Sequence, residues 1–183
     1  MSIKLILGCM FSGKSTALAQ TVEQYKQIGK DIIVVNHSSD TRYGSTFLCT
    51  HDGTKIPCIM RTDLMGLLDL PEYQAASAVI CDEIQFYGDA REFCLTAAER
   101  DGKDVIAAAL NGGYMRQEFS TVSELLPIAD VIEHKTALCT VCKNGTRACF
   151  TRRKNLDAPH ITVGGAELYK AVCRRHYAGS LTT

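Results

Sequence analysis

The sequence has no long apolar run and no excess of charge of either sign. Its 183 residues contain 20 Lys and Arg and 20 Asp and Glu, which gives a formal net charge of zero. No apolar segment approaches the roughly 18 residues that a membrane-spanning helix needs. The first residues also lack the apolar stretch and cleavage site of a signal peptide, so we expect an intracellular protein without a membrane partner.

The zero net charge hides an uneven distribution along the chain. Up to Lys135 there are 12 Lys and Arg and 18 Asp and Glu, whereas from Cys139 onward there are 8 and 2, so the two parts carry −6 and +6. This asymmetry predicts a basic C-terminal module that works on an anion.

The N-terminal segment carries a phosphate-binding pattern. Residues 8–15 read G-x-x-x-x-G-K-S, the P-loop motif. Its glycines allow a tight turn in which several N–H groups point at one anion, and a following helix adds the positive end of its dipole. Lys14 can then reach the β- and γ-phosphates, and the Ser15 hydroxyl can bind Mg²⁺. The alternative is a glycine-rich turn that binds nothing.

Apolar runs alternate with segments of helical spacing, which predicts an α/β protein with a parallel sheet flanked by helices. The expected strands are residues 5–7, 32–35, 78–81, 105–110 and 131–132. One helix is expected directly after the P-loop, and three others are expected at residues 61–70, 89–100 and 123–128. Residues 36–58 are polar and predict a long, functional loop.

Two carboxylates, Asp82 and Glu83, follow the strand that ends at Cys81. In P-loop proteins an Asp at this position helps to hold Mg²⁺, and a second carboxylate can take a proton from a nucleophile. The alternative is an ordinary acidic helix N-terminus. Because ligands bind beyond the ends of parallel strands, Leu110, Tyr114 and Phe119 are candidate pocket residues, with plain core packing as the alternative.

Four residues near the C-terminus have metal-ligand spacing. Cys139 and Cys142 form C-x-x-C, and Cys173 and His176 form C-x-x-H. Thiolates and a neutral imidazole in closed tetrahedral coordination predict a structural Zn²⁺ site. A redox-active C-x-x-C is the alternative, and Cys149 is a rival ligand. The remaining five cysteines of an intracellular chain read as small buried side chains rather than disulfides.

Taken together, these motifs resemble those of the type II thymidine kinase family, the cytosolic and viral kind. The resemblance covers nearly the whole chain. It lies in residues 8–16 (GCMFSGKST), 40–43 (DTRY), 49–52 (CTHD), 82–86 (DEIQF), 108–119 (AALNGGYMRQEF), 138–142 (LCTVC) and 163–177 (VGGAELYKAVCRRHY).

The resemblance implies transfer of the γ-phosphate of ATP to the 5′-hydroxyl of thymidine, with Mg²⁺ and a structural Zn²⁺. It implies Glu83 as the base, Asp82 and Ser15 at the magnesium, and a phosphate site formed by Gly8, Met10, Phe11, Ser12, Gly13, Lys14, Ser15, Thr16, Asp40 and Arg42. The implied nucleoside contacts are Met10, Gln85, Phe86, Leu110, Tyr114, Phe119, His160, Thr162, Gly164 and Tyr169.

The resemblance further implies a P-loop kinase domain at residues 1–136 and a zinc-binding domain at residues 137–183. The second domain would be zinc-ribbon-like and would carry a lasso loop, residues 153–169, over the base. A homotetramer, feedback by dTTP and a cytoplasmic location (host cytoplasm for a viral member) are also implied, without a nucleic-acid partner.

Four positions differ from the commonest family pattern. Ile84 stands where a small residue is usual, Asn111 where Asp is common, Tyr114 in place of Phe, and His176 in place of the fourth Cys. Two other functions are kept as alternatives: a nucleic-acid-binding zinc-ribbon ATPase, and a P-loop kinase for another small metabolite.

Overall fold

A six-stranded sheet forms the centre of the computed structural model, which describes residues 1–40, 46–50, 53–154 and 165–178. Its strands are β1 (Ser2–Gly8), β2 (Ile32–His37), β5 (Ile59–Arg61), β6 (Ala78–Cys81), β7 (Asp104–Leu110) and β8 (Val131–Lys135). Their order is β5-β2-β6-β7-β1-β8, and every neighbouring pair is parallel. The predicted parallel sheet is therefore confirmed.

The helices lie on both faces of the sheet. They are α1 (Lys14–Gln27), α2 (Pro71–Ala75), α3 (Ala90–Leu95) and α4 (Ser120–Leu125), and α3 continues as a π-helical turn, Thr96–Arg100. Single 3₁₀ turns cover Met65–Leu67, Ile84–Phe86 and Leu126–Ile128. Among the described residues, no helix combines the length and apolar character needed to cross a membrane.

Alternation along the strands produces two cores, because successive side chains point to opposite faces. Leu5 and Leu7 of β1 belong to the core under α2, α3 and α4, whereas Ile6 belongs to the core under α1. Both faces of the central strands are apolar, as expected for a buried parallel sheet.

Two local expectations were wrong. Residues 61–70 do not form a helix: Arg61 ends β5, and only one 3₁₀ turn follows before Pro71 begins α2. The Asp89 carboxylate accepts the N–H groups of Leu64 and Met65, at 2.8 Å each, at the start of this turn, where backbone N–H groups have no partner within the helix. Residues 36–58 are also not loop throughout, since β3 (Phe47–Cys49) and β4 (Lys55–Pro57) form an antiparallel hairpin.

A small C-terminal unit completes the fold. It contains two antiparallel pairs, β9 (Ala137–Leu138) with β10 (Arg147–Ala148) and β11 (Phe150–Arg153) with β12 (Tyr169–Val172), and it ends in helix α5 (Arg174–Ala178). Its core of Ala137, Ala148, Ala171, Val172 and Tyr177 also contains Cys9 of the P-loop segment. The unit therefore packs directly on the start of the phosphate-binding motif.

Candidate active site

The turn between β1 and α1 has the geometry of an anion-binding loop. Gly13 precedes α1 with φ 81° and ψ 26°, a left-handed conformation that glycine adopts without strain. Gly8 is constrained differently, because an added Cβ would lie 2.4 Å from Ser12 Oγ and 2.5 Å from the Lys135 carbonyl oxygen. The two glycines of the motif are thus required for separate reasons, one for backbone conformation and one for space.

Lys14 is the first residue of α1 and is almost completely buried. Its Nζ donates a 3.1 Å hydrogen bond to the carbonyl oxygen of Cys9, at the other end of the loop. The ammonium group is therefore held inside the curve of the loop, where bound phosphates would lie.

The acidic pair meets the P-loop across the sheet. Ser15 Oγ donates a 2.7 Å hydrogen bond to Asp82 Oδ2, and the Glu83 N–H donates to Asp82 Oδ1 at 2.9 Å. Burial and the neighbouring Glu83 carboxylate raise the pKa of Asp82 to about 6, against the lowering effects of the Ser15 hydrogen bond and the Lys14 charge. A hydroxyl and a carboxylate are the hard oxygen ligands that Mg²⁺ takes, and a cation there would favour the ionised carboxylate.

These groups line one cavity of about 440 Å³. Its lining consists of Met10, Phe11, Ser12, Gly13, Lys14, Ser15, Thr16, Asp40, Leu48, Cys49, Asp82, Glu83, Gly165, Ala166 and Glu167. Most of the expected phosphate-binding residues are therefore brought together with the acidic pair. Arg42 lies outside the described residues.

Asp40 is fixed at the edge of this cavity by the end of β2. The Asn36 side-chain amide donates to Asp40 Oδ2 at 3.1 Å, and the Asp40 N–H donates to the His37 carbonyl oxygen at 2.9 Å. The His37 ring lies beside Phe86 and Tyr87, and burial lowers the pKa of His37 despite the charge of Glu83 nearby. His37 and Asn36 were not among the expected site residues, although both directly follow an expected strand.

Among the expected nucleoside contacts that the structure describes, Met10 lines the cavity, whereas Gln85, Phe86, Leu110, Tyr114, Phe119 and Tyr169 do not. The rings of Phe86 and Phe119, both of which follow Glu83 in the sequence, pack edge to face with centroids 6.3 Å apart. Arg153 lies over the Tyr114 ring at 5.4 Å, and Tyr169 pairs with Arg153 in the β11–β12 ladder. His160, Thr162 and Gly164 lie outside the described residues.

Ile84 is completely buried in the main core. In the described part of the chain, its side chain is not among the residues that line the cavity. The large residue at this position is thus accommodated by packing and does not narrow the cavity.

Cys139, Cys142, Cys173 and His176 converge on one point, with all four ligand atoms within 4.8 Å of one another. The Cys142–Cys173 sulfur separation is 3.8 Å, and His176 Nδ1 lies 3.2 Å, 3.4 Å and 3.6 Å from Cys142, Cys173 and Cys139. A tetrahedron with Zn–S bonds of about 2.3 Å has S–S edges of about 3.8 Å, so the cluster has the size of a zinc site.

The surroundings of Cys139 favour the ionised form of its thiol, whereas burial and the neighbouring thiols raise the pKa of Cys142. Burial raises the pKa of Cys139, but N–H donors of Cys142, Cys173 and Val141 outweigh it and bring the value to about 6. A thiolate is the form that binds zinc. Cys149, the rival ligand, is not a member of the cluster in the described part of the chain; its carbonyl oxygen instead accepts a hydrogen bond from the Asn111 side chain at 3.2 Å.

Two hydrogen bonds join the small C-terminal unit to the P-loop. The Met10 N–H donates to Thr151 Oγ1 at 3.0 Å, and the Cys9 thiol donates to the Ala148 carbonyl oxygen at 3.3 Å. Tyr177 adds a 2.7 Å hydrogen bond to the Tyr114 carbonyl oxygen. Thr151 was not identified from the sequence, because an isolated threonine in a basic segment has no spacing that distinguishes it.

A phosphate-binding loop, a hydroxyl–carboxylate pair across the sheet and an adjacent second carboxylate define a P-loop protein equipped for phosphoryl transfer. The family model described as "Thymidine kinase" matches residues 1–177. The chain belongs to the thymidine kinase family, and this membership supports phosphorylation of thymidine.

Proteins of similar sequence occur in plants and in poxviruses. "Thymidine kinase a" of Arabidopsis thaliana is 42% identical over 179 residues, covering 96% of this chain and 74% of that protein. "Thymidine kinase" of Oryza sativa is 40% identical over 179 residues, covering 96% of this chain and 65% of that protein. "Thymidine kinase" of Raccoon poxvirus is 38% identical over 175 residues and is covered over 96% of both chains.

Proposed function

We propose that this chain transfers the γ-phosphate of ATP to the 5′-hydroxyl of thymidine to give dTMP, with deoxyuridine as a slower substrate. One observation carries the proposal: Lys14, Ser15, Asp82 and Glu83 all line one cavity. Phosphoryl transfer depends on positioning and charge neutralisation more than on covalent chemistry, and these four side chains supply both.

Each residue has a distinct part in the proposed reaction. The loop N–H groups and Lys14 hold the phosphates, and Ser15 and Asp82 hold Mg²⁺, which neutralises charge on the transferred group. The 5′-oxygen attacks the γ-phosphorus, the bond from that phosphorus to the β–γ bridging oxygen breaks, and ADP leaves. Glu83 accepts the proton of the 5′-hydroxyl.

We also propose that the chain divides into a kinase domain that ends at residue 136 and a zinc-binding domain that begins at residue 137. Residues 139, 142, 173 and 176 would hold a structural Zn²⁺ in the unit that also contains Gly165, Ala166 and Glu167, which line the cavity. The base contacts at Gln85, Phe86, Leu110, Tyr114, Phe119, His160, Thr162, Gly164 and Tyr169 remain predictions. So do the homotetramer, the dTTP feedback and the cytoplasmic location.

A phosphorylation assay over a nucleoside panel tests the proposal. With ATP and Mg²⁺ we expect turnover of thymidine and slower turnover of deoxyuridine, since contacts with one methyl group are worth only about 1–3 kcal/mol. We expect little turnover of purine nucleosides or sugars. ATP consumption that single-stranded DNA stimulates and thymidine does not would contradict the proposal.

The Glu83→Gln variant tests the assignment of the base. A positioned general base contributes about 10²–10⁴-fold, so we expect kcat to fall by that order while ATP binding is kept. Glu99→Gln makes the same chemical change at an exposed position and serves as the control. Near-normal turnover by Glu83→Gln would remove Glu83 from this role.

A further inference from the structure

Gln85 connects the proposed base to the end of a neighbouring strand. Its Nε2 donates a 2.6 Å hydrogen bond to Glu83 Oε2, and its Oε1 accepts a 3.4 Å hydrogen bond from the Leu110 N–H. The side chain is only 5% exposed. This buried amide thus spans from Glu83, the second residue after β6, to Leu110, the last residue of β7.

The two hydrogen bonds fix the orientation of the amide. An ionised carboxylate only accepts and a backbone N–H only donates, so the amide nitrogen must face Glu83 and the oxygen must face Leu110. β6 pairs with β7 only as far as Cys81 opposite Ala107, so Leu110 lies beyond the β6–β7 ladder, although it still pairs with Gly8 of β1. Gln85 Oε1 accepts the Leu110 N–H on the side that β6 no longer covers.

Glu83 also has an unusual backbone conformation. It has φ 52° and ψ 38°, a left-handed conformation that costs free energy for a residue with a side chain. The Asp82 carboxylate holds its N–H at 2.9 Å, which fixes the backbone but not the side-chain torsions. The contact at Oε2 restrains those torsions.

We infer that Gln85 is a positioning residue that holds the Glu83 carboxylate in the orientation needed to take the proton of the acceptor hydroxyl. Within the described residues, Glu83 lines the cavity and Gln85 does not, and the Gln85 amide contacts the Glu83 carboxylate directly. The inference therefore gives Gln85 a role through Glu83, in place of the nucleoside contact that the resemblance implies for it. A carboxylate has about four lone-pair sites, and the hydrogen bond from Gln85 occupies one of them. This inference rests on the proposed function.

The Gln85→Met variant tests it, because Met keeps the length of the side chain and removes both hydrogen bonds. A misplacement of about 1 Å at a reacting group can cost about 100-fold, so we expect kcat to fall about 10–100-fold with KM for ATP and thymidine within about twofold. Gln20→Met, at an exposed position of α1, is the control. A raised thymidine KM with unchanged kcat would show direct substrate contact and overturn the inference.

The double variant separates positioning from a general structural effect. If Gln85 acts through Glu83, Gln85→Met should cost nothing further in a Glu83→Gln background, since groups that act as a unit are not additive. An equal loss of kcat in both backgrounds would overturn the inference. Full turnover by Glu83→Gln alone would instead overturn the base assignment of the proposed function, so the two failures are distinguishable.

Gln85→Asn provides the variant for the case in which Met disturbs folding. It retains a polar amide that is one methylene too short to reach both Glu83 and Leu110, and it should show the same selective loss of kcat. Thermal unfolding of each variant is measured alongside. Wild-type kcat in a stably folded Gln85→Asn protein would contradict the inference.

Discussion

The Ser15 hydroxyl donates a 2.7 Å hydrogen bond to Oδ2 of Asp82, although 67 positions separate the two residues. Ser15 lies in the first turn of α1, after β1, and Asp82 follows β6, with β7 between those strands in the sheet. The parallel arrangement places both strand ends at one edge, which is why a loop motif and a distant carboxylate form one site.

We expect this pair to set the magnesium requirement. Losing a group that holds or orients a metal typically costs about 10–100-fold in metal affinity, so Ser15→Ala and Asp82→Asn should move half-maximal activity to higher Mg²⁺ by that order. Turnover measured against Mg²⁺ concentration at saturating ATP gives the value. Asp69→Asn, on the exposed surface, should leave the curve unchanged, and an unchanged curve for Asp82→Asn would refute the assignment.

The four-residue cluster should bind about one zinc per chain. Cys142→Ser and His176→Ala each remove one ligand and should abolish stoichiometric zinc in metal analysis, with chelation loosening the small C-terminal unit. Cys149→Ser removes a thiol that lies outside the cluster and should keep the metal. Zinc-free protein with full activity and unchanged stability would show that the cluster is not a metal site.

Thr151 should stabilise the contact between the small unit and the P-loop. Thr151→Val keeps the shape and removes the acceptor of the Met10 N–H, a loss of about 1 kcal/mol, or about 2–4 °C in Tm for a chain of this size. Thr151→Ser retains the hydroxyl and should recover most of that shift in a thermal unfolding experiment. Equal Tm values for Val and Ser would indicate that the hydrogen bond contributes nothing.

We expect the free energy of unfolding to fall at acid pH as Asp101 becomes protonated. Its hydrogen bonds with Arg100 and with the Tyr73 hydroxyl, at 2.6 Å for the latter, lower the pKa of Asp101 from 3.8 to about 2. A lowered carboxyl pKa stabilises the native state above pH 3.8, and that contribution is lost as pH falls toward 2.

Tyr73→Phe removes one of these hydrogen bonds and tests that dependence. We expect the variant to be less stable than the parent near neutral pH, with the difference shrinking between about pH 4 and pH 2 as Asp101 becomes protonated. Urea unfolding at a series of pH values measures it. A difference that stays constant over this range would mean that the ionised form of Asp101 plays no part.

Strong periodicity and a specific motif made the sheet and the phosphate site predictable. Val105 to Leu110 and Ile32 to Val35 are continuous apolar runs, and residues 8–15 fix a turn by their glycines. The hairpin of β3 and β4 was missed because its strands are three residues each, too short for alternation to be recognised. The segment near Leu64 was wrongly expected to be a helix, and its contact with Asp89, 25 positions away, leaves no local pattern in the sequence.

Within the site, residue types were easier to predict than contacts. The spacing of Cys139, Cys142, Cys173 and His176 encodes the cluster because each pair is local. The hydrogen bond from Met10 to Thr151 joins residues 141 positions apart, and no local pattern carries that information. The same holds for the amide bridge from Gln85 to Leu110, which only the packing of two strands reveals.

The position of β1 has a consequence for synthesis of the chain. Residues 2–8 come well before their neighbours in the sheet, residues 104–110 and 131–135, along the chain. Over 95 residues must be synthesised after β1 before a partner strand is available to it. Until then Leu5, Ile6 and Leu7 are exposed to non-native hydrophobic contacts. Burial of β1 therefore depends on contacts between distant parts of the chain, and topologies rich in such contacts fold more slowly than those built from local contacts.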